Sequence, residues 1–130
     1  MKTHRDLLAW KEAMQLARMV YRATERFPRA EEFGLALQLR RAVVSVASNI
    51  AEGAARQSSR EFVQFLSVSL GSLAELDTQI ELAASLGLID EPQPLQEQHS
   101  KVAQLTTKLR QSILRRVIDG SRITDHGSHE

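Results

Sequence analysis

The stretch LALQLRRAVVSVASNIAEG, residues 35–53, carries the reading on which the fold turns. Leu35, Leu39, Ala42, Val43, Val46 and Ile50 recur at steps of three and four, which places them on one side of a helix. The other side is polar: Gln38, Arg41, Ser45, Ser48 and Glu52 follow one another at steps of three, four, three and four, with Asn49 beside them. A helix with a single apolar stripe must bury it against neighbouring elements. Gly53 ends the stretch as an expected left-handed terminator.

Upstream, Leu7, Trp10, Met14, Ala17, Tyr21 and Thr24 mark the stripe of a first helix, widened by Leu16, Val20 and Phe27, so Trp10 and Tyr21 are expected in the core. Phe27-Pro28 ends it, because the residue before proline is pushed out of the helical region. Downstream, Ser58-Ser59-Arg60-Glu61 is a capping box that opens a third helix, in which Ser58 and Glu61 each satisfy a backbone N–H. Its stripe reads Phe62, Leu66, Ser69, Leu73, Leu76, Ile80 and Ala83, and Gly87-Leu88 supplies a Schellman end. A fourth helix starts near Pro92 or Pro94, with Asp90 placed to cap it, and carries Leu95, Val102, Leu105, Leu109, Ile113 and Val117. Connections this short predict an all-α, antiparallel, up-and-down four-helix bundle. One domain is expected over residues 1–120, followed by a flexible polar tail over 121–130.

A chain of 130 residues buries roughly two-thirds of its unfolded surface in one domain without covalent staples. It has no cysteine, which excludes disulfides, thiol nucleophiles and iron–sulfur ligation and fits a reducing, cytoplasmic setting. No run of about 18 apolar residues predicts a membrane span. The net charge of +1 hides an uneven distribution. Lys2, Arg5, Lys11, Arg18, Arg22, Arg26 and Arg29 lie in the first segment, and Lys101, Lys108, Arg110, Arg115, Arg116 and Arg122 in the last. The middle gathers acids at Glu31, Glu32, Glu75, Asp77, Glu81, Asp90, Glu91 and Glu97. If the first and fourth helices are neighbours, their outer faces form a basic surface for phosphates or an acidic partner.

The polar stripe is the candidate binding site: Gln38, Arg40, Arg41, Ser45, Ser48, Asn49, Glu52, Arg56 and Arg60, with Glu75 on the third helix. Arg40, Arg41, Arg56 and Arg60 suit a phosphate- or partner-binding edge; the same residues also suit a polar network between helices or subunits that fixes register. Glu52 sits near a helix C-terminus, where the macrodipole disfavours a negative charge by about 0.3–1 kcal/mol, and is expected to seek Arg56 or Arg60. Small residues, Ala42, Ser45, Ala47, Ser48 and Ala51 against Ser67, Ser69, Gly71 and Ser72, predict a close approach of the second and third helices. A mid-helix glycine costs about 0.5–1 kcal/mol relative to alanine, so Gly71 is expected to serve packing.

Catalytic patterns are missing from the sequence. A di-iron bundle needs Glu-x-x-His pairs, and the residue three before His99 is Gln96. His4, His126 and His129 lie in terminal segments, where His126 with His129 is at best an adventitious metal site, and His99 is expected at the core edge. No glycine-rich phosphate loop, Gly-x-Ser-x-Gly elbow or His-Glu-x-x-His motif occurs. An acid/base pair of Glu52 and Glu75 has no nucleophile or metal ligand beside it in the sequence pattern. No catalytic residue, cofactor or metal is therefore expected. Aromatics interleaved with basic residues, as in readers of single-stranded nucleic acid, do not occur either.

Asp6-Leu7, Trp10, Phe27-Pro28, Gly34-Leu35, Gln38-Leu39-Arg40-Arg41-Ala42, Ser45, Ser48-Asn49-Ile50-Ala51-Glu52-Gly53, Arg56, Phe65-Leu66 and Gly71-Ser72-Leu73-Ala74-Glu75-Leu76 form a further pattern. Together they resemble the four-helix-bundle family first named for proteins encoded within intervening sequences of bacterial 23S ribosomal RNA genes. The similarity runs from about Asp6 to Leu88, and the fourth helix matches in pattern. The resemblance implies a left-handed up-and-down bundle that assembles into a homo-oligomeric ring, a pentamer, with no established catalytic activity. A related accessory protein of diversity-generating retroelements is strongly basic and works with a reverse transcriptase and nucleic acid; this chain departs from it in its near-neutral balance and acidic middle.

The expected function is thus that of a non-enzymatic, oligomeric binding or scaffolding protein. Its expected partners are itself, a protein and, weakly, RNA or DNA, with no membrane. The alternative is a dedicated RNA- or DNA-binding protein that uses the basic faces of the first and fourth helices. An enzyme ranks behind both.

Overall fold

In the computed structural model, residues 3–32 and 34–127 are described, with backbone alone for 121–127. The apolar periodicities become four helices: α1 (Leu8–Glu25), α2 (Leu35–Ala54), α3 (Ser59–Ser85) and α4 (Gln93–Gly127). Single 3-10 turns, His4–Asp6 and Arg29–Glu31, precede α1 and α2. Each helix packs on the next and α1 meets α4, so the four close as an up-and-down bundle around one core. Leu16 and Val20 of α1, Leu39, Val43, Val46 and Ile50 of α2, Leu66, Leu73, Leu76 and Ile80 of α3, and Val102 and Ile113 of α4 are all but inaccessible to solvent.

The α2 and α3 stripes are buried as their spacing predicts, but α1 is rotated by about one residue. Its buried positions are Ala9, Ala13, Leu16, Val20 and Thr24, while Trp10, Met14 and Ala17 are half-buried and Tyr21 is exposed. Tyr21 was expected inside. It lies instead at the α1–α2 rim, where the Arg40 guanidinium covers its ring at 4.6 Å. Thr24 takes the inner place because its hydroxyl is satisfied there, donating to the Val20 carbonyl at 2.8 Å.

Gly53 is also placed differently from the expectation. It is a buried helical residue inside α2, and the left-handed backbone belongs to Gly87, at φ 74°. A Cβ at Gly53 would come within 2.8 Å of both Phe62 Cδ1 and Phe65 Cβ, so the glycine is there for the approach of α2 to α3. At Gly87 the expected Schellman pattern forms, with Leu88 N–H donating to the Ala83 carbonyl at 2.9 Å and Gly87 N–H to the Ala84 carbonyl at 3.1 Å. Ser58 caps α3 by accepting from Glu61 N–H at 3.3 Å. α4 runs past Gly120 to Gly127, beyond the expected domain end, since one glycine costs a helix about 1 kcal/mol and does not break it. Residues 128–130 of the expected tail, with His129, lie outside the described residues, as does the side chain of His126.

Polar ties fix the neighbours of α4. Gln98 Nε2 donates to the Glu12 carbonyl at 2.9 Å and to Glu12 Oε1 at 3.1 Å, and Lys101 Nζ lies 3.0 Å from the same oxygen, locking α4 to α1. His99 Nε2–H donates to the Leu73 carbonyl at 2.6 Å, and Arg110 Nε to Ser67 Oγ at 2.8 Å, locking α4 to α3. Thr106 Oγ1 is fully buried with no partner.

Three outcomes follow from this packing. Gly53→Ala forces a methyl onto two phenylalanines, one of them at its Cβ, and lowers stability in urea unfolding by about 1–3 kcal/mol, despite alanine's better helix propensity. Thr106→Val replaces an unpartnered hydroxyl with a methyl of the same shape, and calorimetry should show a gain of about 1 kcal/mol. The third concerns Glu12, whose carboxyl is held below the usual range by the Gln98 hydrogen bond and then by Lys101. A lowered folded pKa means that this contribution is complete above the unfolded value of about 4.3 and is lost as pH falls through the folded value. The stability gap between the wild type and Glu12→Gln, under about 1 kcal/mol for so accessible a pair, should therefore close in acid and stay constant above about pH 5.

Candidate binding surface on α2 and α3

The polar stripe of α2 divides into a seam and an outer face. Ser45 Oγ and Ser72 Oγ share a hydrogen bond of 2.8 Å across α2 and α3, and Asn49 Nδ2 donates to the Ser45 carbonyl at 2.8 Å and to its Oγ at 3.0 Å. One turn along, the buried Ser69 hydroxyl donates to the Val46 carbonyl at 2.9 Å. The small residues therefore do bring the two helices close, and the seam they form is hydrogen-bonded. Gln38, Arg41, Ser48 and Glu52 are exposed on the outer face of α2, and Glu75 on that of α3.

The four arginines are not gathered into one edge. Arg40 turns toward α1, where its Nε donates to Thr24 Oγ1 at 2.8 Å and its Nη2 to the Tyr21 carbonyl at 3.5 Å. Arg41, one residue on and about 100° around the helix, is exposed to solvent. Arg56, one turn after Glu52, lies over the Phe65 ring at 5.0 Å, and Arg60 is exposed in the first turn of α3. Glu52 and Glu75 are separated along the bundle. Glu52 precedes Gly53, which packs on Phe62 and Phe65, whereas Glu75 lies one turn beyond Ser72, the partner of Ser45. Among the described residues no three His, Cys, Asp or Glu side chains are grouped to hold a metal ion, and no helix is long and apolar enough to cross a membrane.

Two features escape the sequence reading. Gly71 does not pack within the chain: it is exposed, and a Cβ there would meet no atom within 4 Å. It lies in an exposed row, Gln64, Val68, Gly71, Glu75, Thr78 and Leu82, spaced by fours and threes along the outside of α3, in which Val68 and Leu82 are about half exposed, at 52% and 48%. That spacing was readable but was hidden beside the stronger inner stripe. The other feature is the Tyr21–Thr24–Arg40 unit at the α1–α2 turn, which borders a pocket of about 440 Å³. A second opening, of about 680 Å³, separates Arg22 and Arg26 at the end of α1 from Asp90 and Glu91 before α4.

The bundle is similar to a crystal structure of a protein of unknown function from the S23 ribosomal protein family of Bacteroides thetaiotaomicron, with a TM-score of 0.74 and 17% sequence identity, covering 80% of this chain and 96% of that one. At that identity the likeness speaks for the fold. No match is found among curated proteins. The model of the 23S rRNA-intervening sequence protein family matches residues 5–111, through the α2 stripe, the α2–α3 seam and the first half of α4. On that match, this chain belongs to the 23S rRNA-intervening sequence protein family.

Proposed function

We propose that this protein is a non-enzymatic scaffold that assembles with copies of itself through the outer row of α3 and presents the polar face of α2 to a protein partner. The observation that carries the reading is Gly71. An exposed glycine in mid-helix costs about 0.5–1 kcal/mol, and no atom of its own chain makes use of the missing side chain. A backbone arriving from outside does. The row around it follows the four-and-three spacing of a helix–helix seam, with Val68 and Leu82 as its apolar members. The closed form this reading favours is the pentameric ring that the family resemblance implies.

A second reading, contact with RNA or DNA, is favoured by the packing of α1 on α4 through Glu12, Gln98 and Lys101. That packing brings Lys101 of α4 onto Glu12, next to the exposed Lys11, while Arg18 and Arg22 of α1 and Lys108 of α4 are exposed along the same two helices. Phosphate contacts would make affinity fall steeply with salt.

Light scattering should return a multiple of the 14.6 kDa chain mass, falling to the single-chain value for Val68→Arg, with Gly71→Ala loosening the assembly. A single-chain mass, with Gly71→Ala more stable by about 0.5–1 kcal/mol, would overturn the scaffold reading. For the second reading, anisotropy with structured RNA and duplex DNA should show affinity dropping between low and moderate salt; a flat curve rules it out.

A further inference from the structure

The pocket at the α1–α2 turn takes no part in the scaffold reading. Thr24, Phe27 and Ala36 are buried at its base, Glu25, Arg29 and Glu32 stand exposed around it, and Arg40 lines it half-buried. Its volume of about 440 Å³ falls within the usual range of small-molecule sites, about 300–1,000 Å³. Arg40 is held in place by contacts that leave its charge unanswered. Its Nε–H goes to Thr24 Oγ1, whose own proton goes to the Val20 carbonyl; one Nη2–H goes to the Tyr21 carbonyl; and the Tyr21 ring supports the guanidinium plane. No carboxylate forms an ion pair with it among the described residues. Of five guanidinium N–H donors, two are used, and the terminal edge that grips a carboxylate with two parallel bonds is left.

The surroundings define what such a carboxylate must carry. Thr24 and Glu25 belong to the last turn of α1, the negative end of that helix, and Ala36 to the first turn of α2, a positive end. Glu25 and Glu32 line the pocket together with Arg29 and Arg40, so both signs of charge border it. A bare dianion would be repelled by these acids, whereas a small molecule with a carboxylate and an adjacent ammonium satisfies both poles. We propose that the pocket binds a free α-amino acid, its carboxylate on the Arg40 fork and its ammonium toward Glu25 and Glu32.

The test is an NMR titration of the full chain with leucine, N-acetyl-leucine, leucinamide and acetate, followed at the Arg40 Nε–H and the amides of the α1–α2 turn. Leucine should shift these signals saturably, and losing either the ammonium or the carboxylate should weaken binding by about tenfold or more. Arg40→Lys keeps the charge but loses the fork, and should abolish the leucine response. Because that variant also loosens the α1–α2 tie, Glu25→Gln/Glu32→Gln, at two exposed positions, gives an independent arm: leucine should bind more weakly and acetate more tightly. No saturable response to leucine, or equal responses to leucine and leucinamide, would overturn the proposal. Unchanged leucine binding in the double glutamine variant would overturn the ammonium assignment and with it the zwitterion.

Discussion

The close approach of α2 and α3 at Gly53 is the constraint from which much of the remaining geometry follows. With no Cβ at that position, the Phe62 ring and the Phe65 Cβ occupy the space that a side chain would fill. Backbones this near leave room along the seam for hydroxyls and little else, so Ser69 reaches the Val46 carbonyl and Ser45 reaches Ser72. Each hydroxyl buried there has a partner, which is what makes a polar seam tolerable in a core. The same approach fixes the rotation of both helices, turning Gln38, Arg41, Ser48 and Glu52 outward on α2 and Val68, Gly71 and Glu75 outward on α3. The inner seam holds the bundle together, and the outer faces of both helices stay in solvent.

What the sequence revealed, and what it concealed, follows from how strongly each stripe contrasts with its surroundings. α2 and α3 were legible because Leu39, Val43, Val46, Leu66, Leu73 and Ile80 stand against polar neighbours on the other side. The α1 stripe was misplaced in part: Leu16, Val20 and Thr24 were expected on the apolar face and are buried, but the row of Trp10, Met14 and Tyr21 was preferred to the adjoining row that holds Ala9 and Ala13. Size favoured the first row and packing chose the second, since alanines let α1 sit close and the Thr24 hydroxyl finds a backbone carbonyl. Gly53 and Gly71 show the same difficulty in reverse. Glycine in a sequence signals freedom or proximity without saying which: Gly53 takes the packing role expected of Gly71, and the left-handed backbone expected of Gly53 is found at Gly87.

Arginine placement was illegible for a related reason. Arg40 and Arg41 are adjacent, yet a step of about 100° around the helix sends one to the Tyr21 rim and the other to solvent. Arg40 and Arg56 both lie on aromatic rings, at 4.6 and 5.0 Å, and a delocalised, weakly hydrated guanidinium suits such a place better than an ammonium would. An edge of four convergent cations, natural on paper, would have cost mutual repulsion in a narrow strip. The bundle distributes them instead, and only Arg40 ends in a pocket with its orientation fixed by a buried hydroxyl.

The near-zero net charge acquires meaning from the same distribution. α3 carries Glu61, Glu75, Asp77 and Glu81 against the single base Arg60, while α1 and α4 expose Lys11, Arg18, Arg22, Lys101 and Lys108. Antiparallel packing in chain order places α3 and α1 on opposite corners of the bundle, so the protomer is polar across its width although it is almost neutral as a whole. In the proposed assembly such a protomer would disfavour face-to-face pairing of like surfaces and favour head-to-tail contact, the acid-bearing α3 side of one copy meeting the basic side of the next. Head-to-tail contacts either run on as filaments or close as rings, depending on the rotation each step imposes. For the proposed assembly, closure would cover Gly71 and its apolar neighbours on every copy at once, leaving no exposed row to recruit further chains, which an open head-to-tail pair cannot do.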